Sequence, residues 1–364
     1  MNVSDLPVSV ADHAGLARAA LDDKAWAYFS GGAADEITMH ANTSGWDAIR
    51  LRPRVLRSMA GAHTRIGLLG RTLAHPVLLA PIAYQRLAHP EGELASAIAA
   101  AALGAGFVLS TQASVPLERV ASGVLGEARR GPLWFQLYLQ PDRQFTQRLI
   151  ARAEDAGYEA LVLTVDAPVH GARDRERRAG FRLPAGIAAV NLQGLQNPPH
   201  AELQPGESRL FNHLLRDAAT WDDVEWLQAH TRLPILLKGV LHPDDARIAR
   251  AMGLAGLIVS NHGGRTLDTA LPTASALADV VAAVQGAIPV LVDGGIRRGT
   301  DILKAMALGA AAVLVGRPYV FGLAHAGAHG VAHVLRLLRD ELEIAMALTG
   351  CCRLDDAAFA IKCE

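Results

Sequence analysis

Eight short runs of aliphatic and β-branched residues recur along the chain, at 77–82, 107–111, 133–138, 160–166, 234–239, 256–261, 289–294 and 312–317. Each ends in polar residues or glycine. Continuous apolar runs of this length suit strands buried on both faces, as in a parallel sheet. Helical patterns rich in Ala, Leu, Arg and Glu lie between them, at 92–103, 143–156, 244–252, 274–284 and 300–308. The last of these opens with Thr300 as N-cap and closes at Gly309. Eight strands alternating with helices predict an α/β fold, a (β/α)8 TIM barrel. Strand starts are mostly 22 to 33 residues apart, but 74 residues separate Ala160 from Pro234, which places an insertion after strand 4. Gly186, Gly194, Pro198, Pro199, Pro205 and Gly206 make residues 184–215 read as a mobile lid loop rather than a domain. The expected organisation is one domain over 1–364: a helical N-terminal extension (1–70) and the barrel (71–350). A last amphipathic helix runs over about 331–348 and stops at Gly350.

With 35 basic against 36 acidic residues, the net charge of -1 supplies no field for nucleic acid or an anionic membrane. Any bound anion must be held locally. The cysteines, Cys351, Cys352 and Cys363, form no C-x-x-C and no Cys/His cluster, so no metal is expected and the thiols read as free. Residues 1–22 lack the basic and apolar regions of a signal peptide, and the stretch 94–109 is broken by Gly104 and Gly106. The expected location is cytoplasmic.

A barrel of this kind carries its chemistry at the C-terminal strand ends. Read in order, those ends are Pro81-Ile82-Ala83, Ser110, Gln136 with Tyr138, Thr164 with Asp166, Lys238, Ser260 with His262, Asp293 with Arg297, and Gly316-Arg317. Any one of them alone is as often a turn residue or a helix cap. Eight ends converging on one rim with a lysine, a histidine, two aspartates and several hydroxyls have no structural purpose. Asp293-Gly294-Gly295-Ile296-Arg297 and Gly316-Arg317 join glycines to guanidinium groups where barrels bind phosphate. Neither G-x-G-x-x-G after a first strand nor a P-loop is present, which argues against a dinucleotide or nucleotide triphosphate fold.

Ala80-Pro81, His89-Pro90-Glu91-Gly92-Glu93, Thr164-Val165-Asp166, Leu237-Lys238-Gly239, Ser260-Asn261-His262-Gly263-Gly264-Arg265, Asp293-Gly294-Gly295 and Gly316-Arg317-Pro318 together resemble the FMN-dependent 2-hydroxy-acid oxidases, such as glycolate and lactate oxidase. The resemblance implies oxidation of an L-2-hydroxy acid to the 2-oxo acid, with electrons passed to O2 and H2O2 released. It implies FMN phosphate at Arg297, Gly316 and Arg317, with Asp293 by the ribityl chain and Gly294, Gly295, Ile296 and Ser260 in the same cradle. Ser110, Gln136 and Thr164 would meet the polar edge of the flavin, Pro81, Ile82 and Ala83 would pass N5, and Lys238 would lie beside N1 and O2. A cation there favours negative charge on the ring. His262 matches the catalytic base and Asp166 its carboxylate partner, while the residues leave open whether the hydroxyl proton or the α-proton is taken. Arg173 and Arg265 match the pair that grips the substrate carboxylate, and Tyr28 and Tyr138 the tyrosines that orient it. Relatives of this kind are commonly tetramers.

The chain departs from glycolate oxidases at the pocket wall. Gln112 stands for a tryptophan, His170 for a leucine, Ile82 for a threonine and Tyr84 for a Met or Leu. A substrate larger than glycolate is expected, such as lactate or an aryl acid. Two alternatives are a quinone-linked membrane dehydrogenase and a non-catalytic FMN-binding barrel. Asn197-Pro198-Pro199-His200 and Glu202 make the insertion too polar for a bilayer, and the presence of His262, Asp166, Arg173 and Arg265 speaks against a non-catalytic module.

Overall fold

The computed structural model describes residues 7–196, 203–204, 206–215 and 218–361. Asn197 to Glu202, Pro205 and Cys363, and with them part of the expected lid, lie outside the described residues. The chain begins with helices α1 (Val10–Ala20), α2 (Asp23–Ser30) and α3 (Ile37–Ala48), then an antiparallel hairpin of β1 (Ile66–Leu68) and β2 (Arg71–Leu73). Eight parallel strands follow: β3 (Val77–Leu79), β4 (Gly106–Ser110), β5 (Leu133–Leu137), β6 (Leu161–Thr164), β7 (Ile235–Val240), β8 (Gly256–Val259), β9 (Val290–Val292) and β10 (Ala312–Val315). They close into a barrel, with β10 hydrogen-bonded to both β9 and β3. The TIM-barrel expectation holds.

The period-2 geometry of a strand explains how the barrel builds its site. Leu78, Val108, Trp134, Val162, Leu236, Ile258, Leu291 and Leu314, one from each strand, form a buried inner cluster, closed below by Leu68 and Leu73 of the hairpin. Their strand neighbours Val77, Leu79, Phe107, Leu109 and Phe135 pack outward against the helices. Two residues further along each strand, the inward positions are Ala80, Ser110, Gln136, Thr164, Lys238, Ser260, Asp293 and Gly316. The same alternation that fills the core therefore delivers the polar set to one rim. The hairpin straddles residue 70, where the extension was expected to end, because its leucines plug the barrel floor.

The outer ring is α4 (Gly92–Leu103), α5 (Leu117–Val124), α6 (Arg143–Asp155), α8 (Trp221–Ala229), α9 (Pro243–Ala251), α10 (Thr273–Val284), α11 (Gly299–Ala307) and α12 (Arg317–Thr349), with the short α7 (Asp174–Arg178) after β6. Three features differ from expectation. Helix α11 starts one residue before Thr300, and its free N–H groups are served by the Asp301 carboxylate, 3.0 Å from the amides of both Arg297 and Arg298. The expected last helix is preceded by a further helix from Arg317, which meets it at a kink at Ala326 and Gly327, where φ is -147° and +57°. It ends as expected at Gly350, a left-handed C-cap with φ 75°. Part of the insertion is anchored rather than mobile. The Val190 amide reaches the Ala113 carbonyl at 3.0 Å, and buried Asn191 accepts from the Leu117 amide at 3.0 Å.

His75, fully buried beneath β3, has a fixed tautomer. Its Nδ1 accepts from the Val77 amide at 3.2 Å, so Nε2 carries the proton given to the Leu103 carbonyl at 3.0 Å. Burial, with the charge of Arg339 adding to it, pushes the imidazole down to about 4. The unfolded chain takes this proton near pH 6.5 and the folded one does not, so stability is full above pH 6.5 and declines between 6.5 and 4. The expected loss across that window is about 3 kcal/mol. Thermal melts from pH 7 to 4 check this, and His75→Gln should flatten that limb. An unchanged slope in the variant would assign the acid lability elsewhere.

Candidate active site

The rim encloses a cavity of about 1270 Å³, lined by Tyr28, Pro81, Ile82, Ala83, Ser110, Gln136, Tyr138, Thr164, Arg173, Lys238, His262, Arg265, Asp293, Gly294, Gly295, Ile296, Arg297, Gly316 and Arg317. Asp166 meets it through His262, and Ser260 through Lys238 and His262. The sequence-predicted set is thus brought together in one place.

Lys238 is 4% exposed, too buried to stay charged without partners. Its Nζ lies 3.1 Å from Asp293 Oδ2 and donates to Ser260 Oγ at 2.8 Å. Burial opposes the ammonium, but the charges of Asp293 and Asp166 outweigh it and hold its pKa above the ordinary value. The Ser260 hydroxyl also accepts from the His262 amide at 3.0 Å, tying the lysine to the histidine loop.

That loop is made by Ser260-Asn261-His262-Gly263-Gly264-Arg265. His262, Gly263 and Gly264 all have positive φ, at 58°, 63° and 73°. For histidine this backbone is strained, and it persists here because the surroundings fix it. The imidazole Nδ1 lies 2.8 Å from Asp166 Oδ1. With Nδ1–H given to the carboxylate, Nε2 is left as the free base. Burial opposes the charge on Asp166, but the charges of His262 and Lys238 and the hydrogen bond prevail, holding the carboxyl below its usual value.

Both rim arginines lean on the C-terminal end of α2, where helix carbonyls lack partners. Arg265 Nη1 donates to the carbonyls of Tyr28 (2.6 Å) and Gly31 (2.8 Å), and its guanidinium lies 5.1 Å from the Tyr28 ring centre. Arg317 donates to the carbonyls of Phe29 (3.2 Å), Gly263 (2.8 Å) and Gly31 (2.7 Å). These contacts use three of its five N–H groups and fix the guanidinium at the cavity wall, where the other two can still meet an anion. Further anion-binding potential at this point resides in the N-terminus of α12, which begins at Arg317 after Gly316. A Cβ at Gly316 would meet nothing nearer than 3.7 Å, so the cavity approaches its backbone freely. Gly294 and Gly295 have a different reason to be glycine. At Gly295, φ is 83° and a Cβ would lie 2.2 Å from the Asn42 carbonyl oxygen of α3. Packing against α3 thus requires glycine here, and both residues also line the cavity.

Sequence reasoning missed Glu176, which pairs with both Arg265 (3.0 Å) and Arg173 (3.6 Å). Its position three residues after Arg173 was the available signal. It also missed Phe181, which stacks on Tyr28 with ring centres 4.8 Å apart. Buried Glu93 was quoted within a motif but given no role. It accepts from the amides of Gln85 and Ser114 at 2.9 Å each and so clamps the loops after β3 and β4. No spacing rule joins those positions. Among the described residues no cluster of His, Cys, Asp and Glu is arranged to hold a metal ion.

The profile of the FMN-dependent dehydrogenase family matches residues 17–361. The chain belongs to this family. An L-lactate oxidase of Nostoc sp. is 49% identical, covering 98% of this chain and 98% of its own. Glycolate oxidase 1 of Zea mays is 45% identical over 95% of this chain and 93% of its own. A crystal structure of a mandelate oxidase superposes with a TM-score of 0.87 at 44% identity, covering 98% of each chain. The protein is an FMN-dependent 2-hydroxy-acid oxidase.

The cavity fits that cofactor on independent grounds. Gln136 Nε2, Thr164 Oγ1 and Asp293 Oδ1 are buried polar atoms with no hydrogen-bond partner among the described residues. Three orphaned polar atoms around one rim match a flavin edge and ribityl chain that offer both donors and acceptors. Gln136→Leu removes the donor while Ser110 and the Thr111 amide, both within 3.2 Å of Gln136 Oε1, lose their acceptor. The expected result is FMN binding weakened at least ~10-fold, from a hydrogen-bond loss of about 1–3 kcal/mol. Fluorescence of flavin released on dilution measures it, and undiminished retention would count against this wall as the flavin edge.

Proposed function

We propose that this single-domain enzyme oxidises an (S)-2-hydroxy acid larger than glycolate, with His262 as base and Arg173 and Arg265 as the carboxylate grip. The observation that carries the reading is the His262–Asp166 pair, 2.8 Å apart, opening onto the same cavity as two guanidinium groups. Bound FMN would take the two electrons of the alcohol and pass them to O2. Gln136, Thr164, Lys238 and Asp293 would hold its ring and ribityl chain, and Arg297, Arg317 and the N-terminus of α12 after Gly316 its phosphate.

His262 Nε2 accepts the proton that leaves the substrate. Asp166, kept ionised, stabilises the imidazolium so formed and holds the ring in the productive tautomer. Burial raises the phenol pKa of Tyr28, and burial with the Asp166 charge raises that of Tyr138, so both stay protonated and act as donors. They orient the carboxylate and hydroxyl that the arginines bring in. Tyr84, Gln112 and His170 line the space for the substrate side chain. Gln112 in place of an aromatic residue frees volume and adds polar groups there, which supports lactate or an aryl acid such as mandelate as the substrate.

A cytoplasmic location and a homotetramer complete the reading. Cys351 and Cys352 are free thiols, which supports a reducing compartment, and the family resemblance supports the tetramer. No helix among the described residues is long and apolar enough to cross a membrane, and nothing in the site favours a quinone as acceptor.

His262→Ala should keep FMN and slow anaerobic flavin reduction by at least ~10²-fold. Reduction at the parent rate would remove the base assignment. Arg173→Lys or Arg265→Lys should raise KM strongly, since one bidentate charge-assisted contact is worth about 2–5 kcal/mol where water is excluded. Methyl esters should be poor substrates, and ester turnover equal to that of the free acids would rule the arginines out. In a panel of glycolate, lactate and mandelate, glycolate should not give the highest kcat/KM, and Gln112→Trp should move preference toward it. The reverse ranking would refute the size argument.

A further inference from the structure

We propose that Glu176 is a built-in counter-anion of the substrate-carboxylate site, a positioning residue that competes with the substrate for Arg173 and Arg265. The inference rests on the arginine grip proposed above and adds the group that tunes it.

Glu176 Oε1 accepts from Arg265 Nη2 at 3.0 Å and lies 3.6 Å from Arg173 Nη1. The side chains of Arg173, Glu176 and Arg265 are 16%, 14% and 15% exposed, so water screens the triad little. Among the described residues no other carboxylate lies within ion-pair distance of either arginine. Arg265 Nη1 gives both its N–H groups to the carbonyls of Tyr28 and Gly31, and Nη2 gives one to Glu176. The second Nη2 N–H and the Nη groups of Arg173 are left for a substrate carboxylate, which would therefore sit beside the Glu176 carboxylate and share its two cations.

The charge balance explains why such a competitor is useful. Two guanidinium groups and one carboxylate leave a local charge of about +1, which a monoanionic substrate neutralises. Without Glu176 the two cations would repel each other, and burial together with the charge of Arg173 already lowers the pKa of Arg265. They would also hold any carboxylate more tightly. Substrate and 2-oxo acid product carry the same carboxylate, so extra grip of this kind is uniform binding. It lowers KM and retards product release without accelerating the chemical step. Glu176 is placed to trade that grip for turnover. It sits on α7 three residues after Arg173, and the helix is anchored to the N-terminal segment by Arg175, which pairs with Glu36 and donates to Ser30 Oγ at 3.2 Å.

The test uses the FMN-loaded enzyme and acetate, a carboxylate that cannot react, titrated by the change in flavin absorbance. Parent, Glu176→Gln, Glu176→Asp and Arg173→Lys are compared, and steady-state rates with L-lactate are recorded. Glu176→Gln should bind acetate about 10-fold more tightly, since one negative charge beside the arginines is lost at fixed geometry. Its KM should fall with no rise in kcat, and Glu176→Asp should stay close to the parent. If Glu176→Gln does not retain FMN, Glu176→Ser gives the same reading. Acetate affinity unchanged or weaker in the charge-removing variant would overturn the proposal, because a purely structural carboxylate orients the arginines and its loss loosens them. Equal acetate affinity in Arg173→Lys and parent would instead overturn the arginine grip, and this inference with it.

Discussion

The site depends on one buried positive charge. Lys238 reaches Asp293 from β7 across to the end of β9, shares Ser260 of β8 with the His262 amide, and helps keep Asp166 after β6 ionised. Without that ammonium, Asp293 would be a largely buried carboxylate without its countercharge, and Asp166 would keep only His262 of the two charges that hold it ionised. A single lysine thus connects the region that meets the cofactor with the region that handles the proton. This is a reason to find it inside a barrel whose neighbouring layer is all apolar.

Much of this was legible in the chain because strands obey a strict alternation. Once Lys238 was placed at the end of an apolar run, Leu236 below it had to face inward as well, and the same holds for Ser110 over Val108 and Gln136 over Trp134. The convergence of the polar set was a consequence of period two and closure. The Asp166–His262 pair was legible only through resemblance, since 96 residues separate them and no local rule joins them.

What escaped was whatever depends on how the arms outside the strands are laid. Arg317 sits at the right strand end, yet its guanidinium turns to carbonyls of α2 that no spacing rule brings near it. Gly295 was read only as a close approach to a ligand, and that Asn42 of α3 also presses on it was not visible. Thr300 has the right identity for an N-cap, but Gly299 packs so closely on α12 that a Cβ there would lie 2.1 Å from the Leu342 amide nitrogen, and the helix begins at Gly299 instead. For Arg317 and Thr300 a tertiary neighbour decided between two locally acceptable arrangements.

The C-terminal end of α2 deserves a different description from that of an appended segment. Its carbonyls hold Arg265 and Arg317, residues 234 to 288 positions further along the chain. A segment on the N-terminal side of the barrel is therefore completed by residues far along the chain, and it finishes the rim without taking part in the strand ladder. Shortening the chain at its start would leave the eight strands their full ladder while two guanidinium groups lost their acceptors. Such a protein would be folded by the measure of its sheet and blind to carboxylates, so ligand recognition is a sharper gauge of native assembly here than secondary structure.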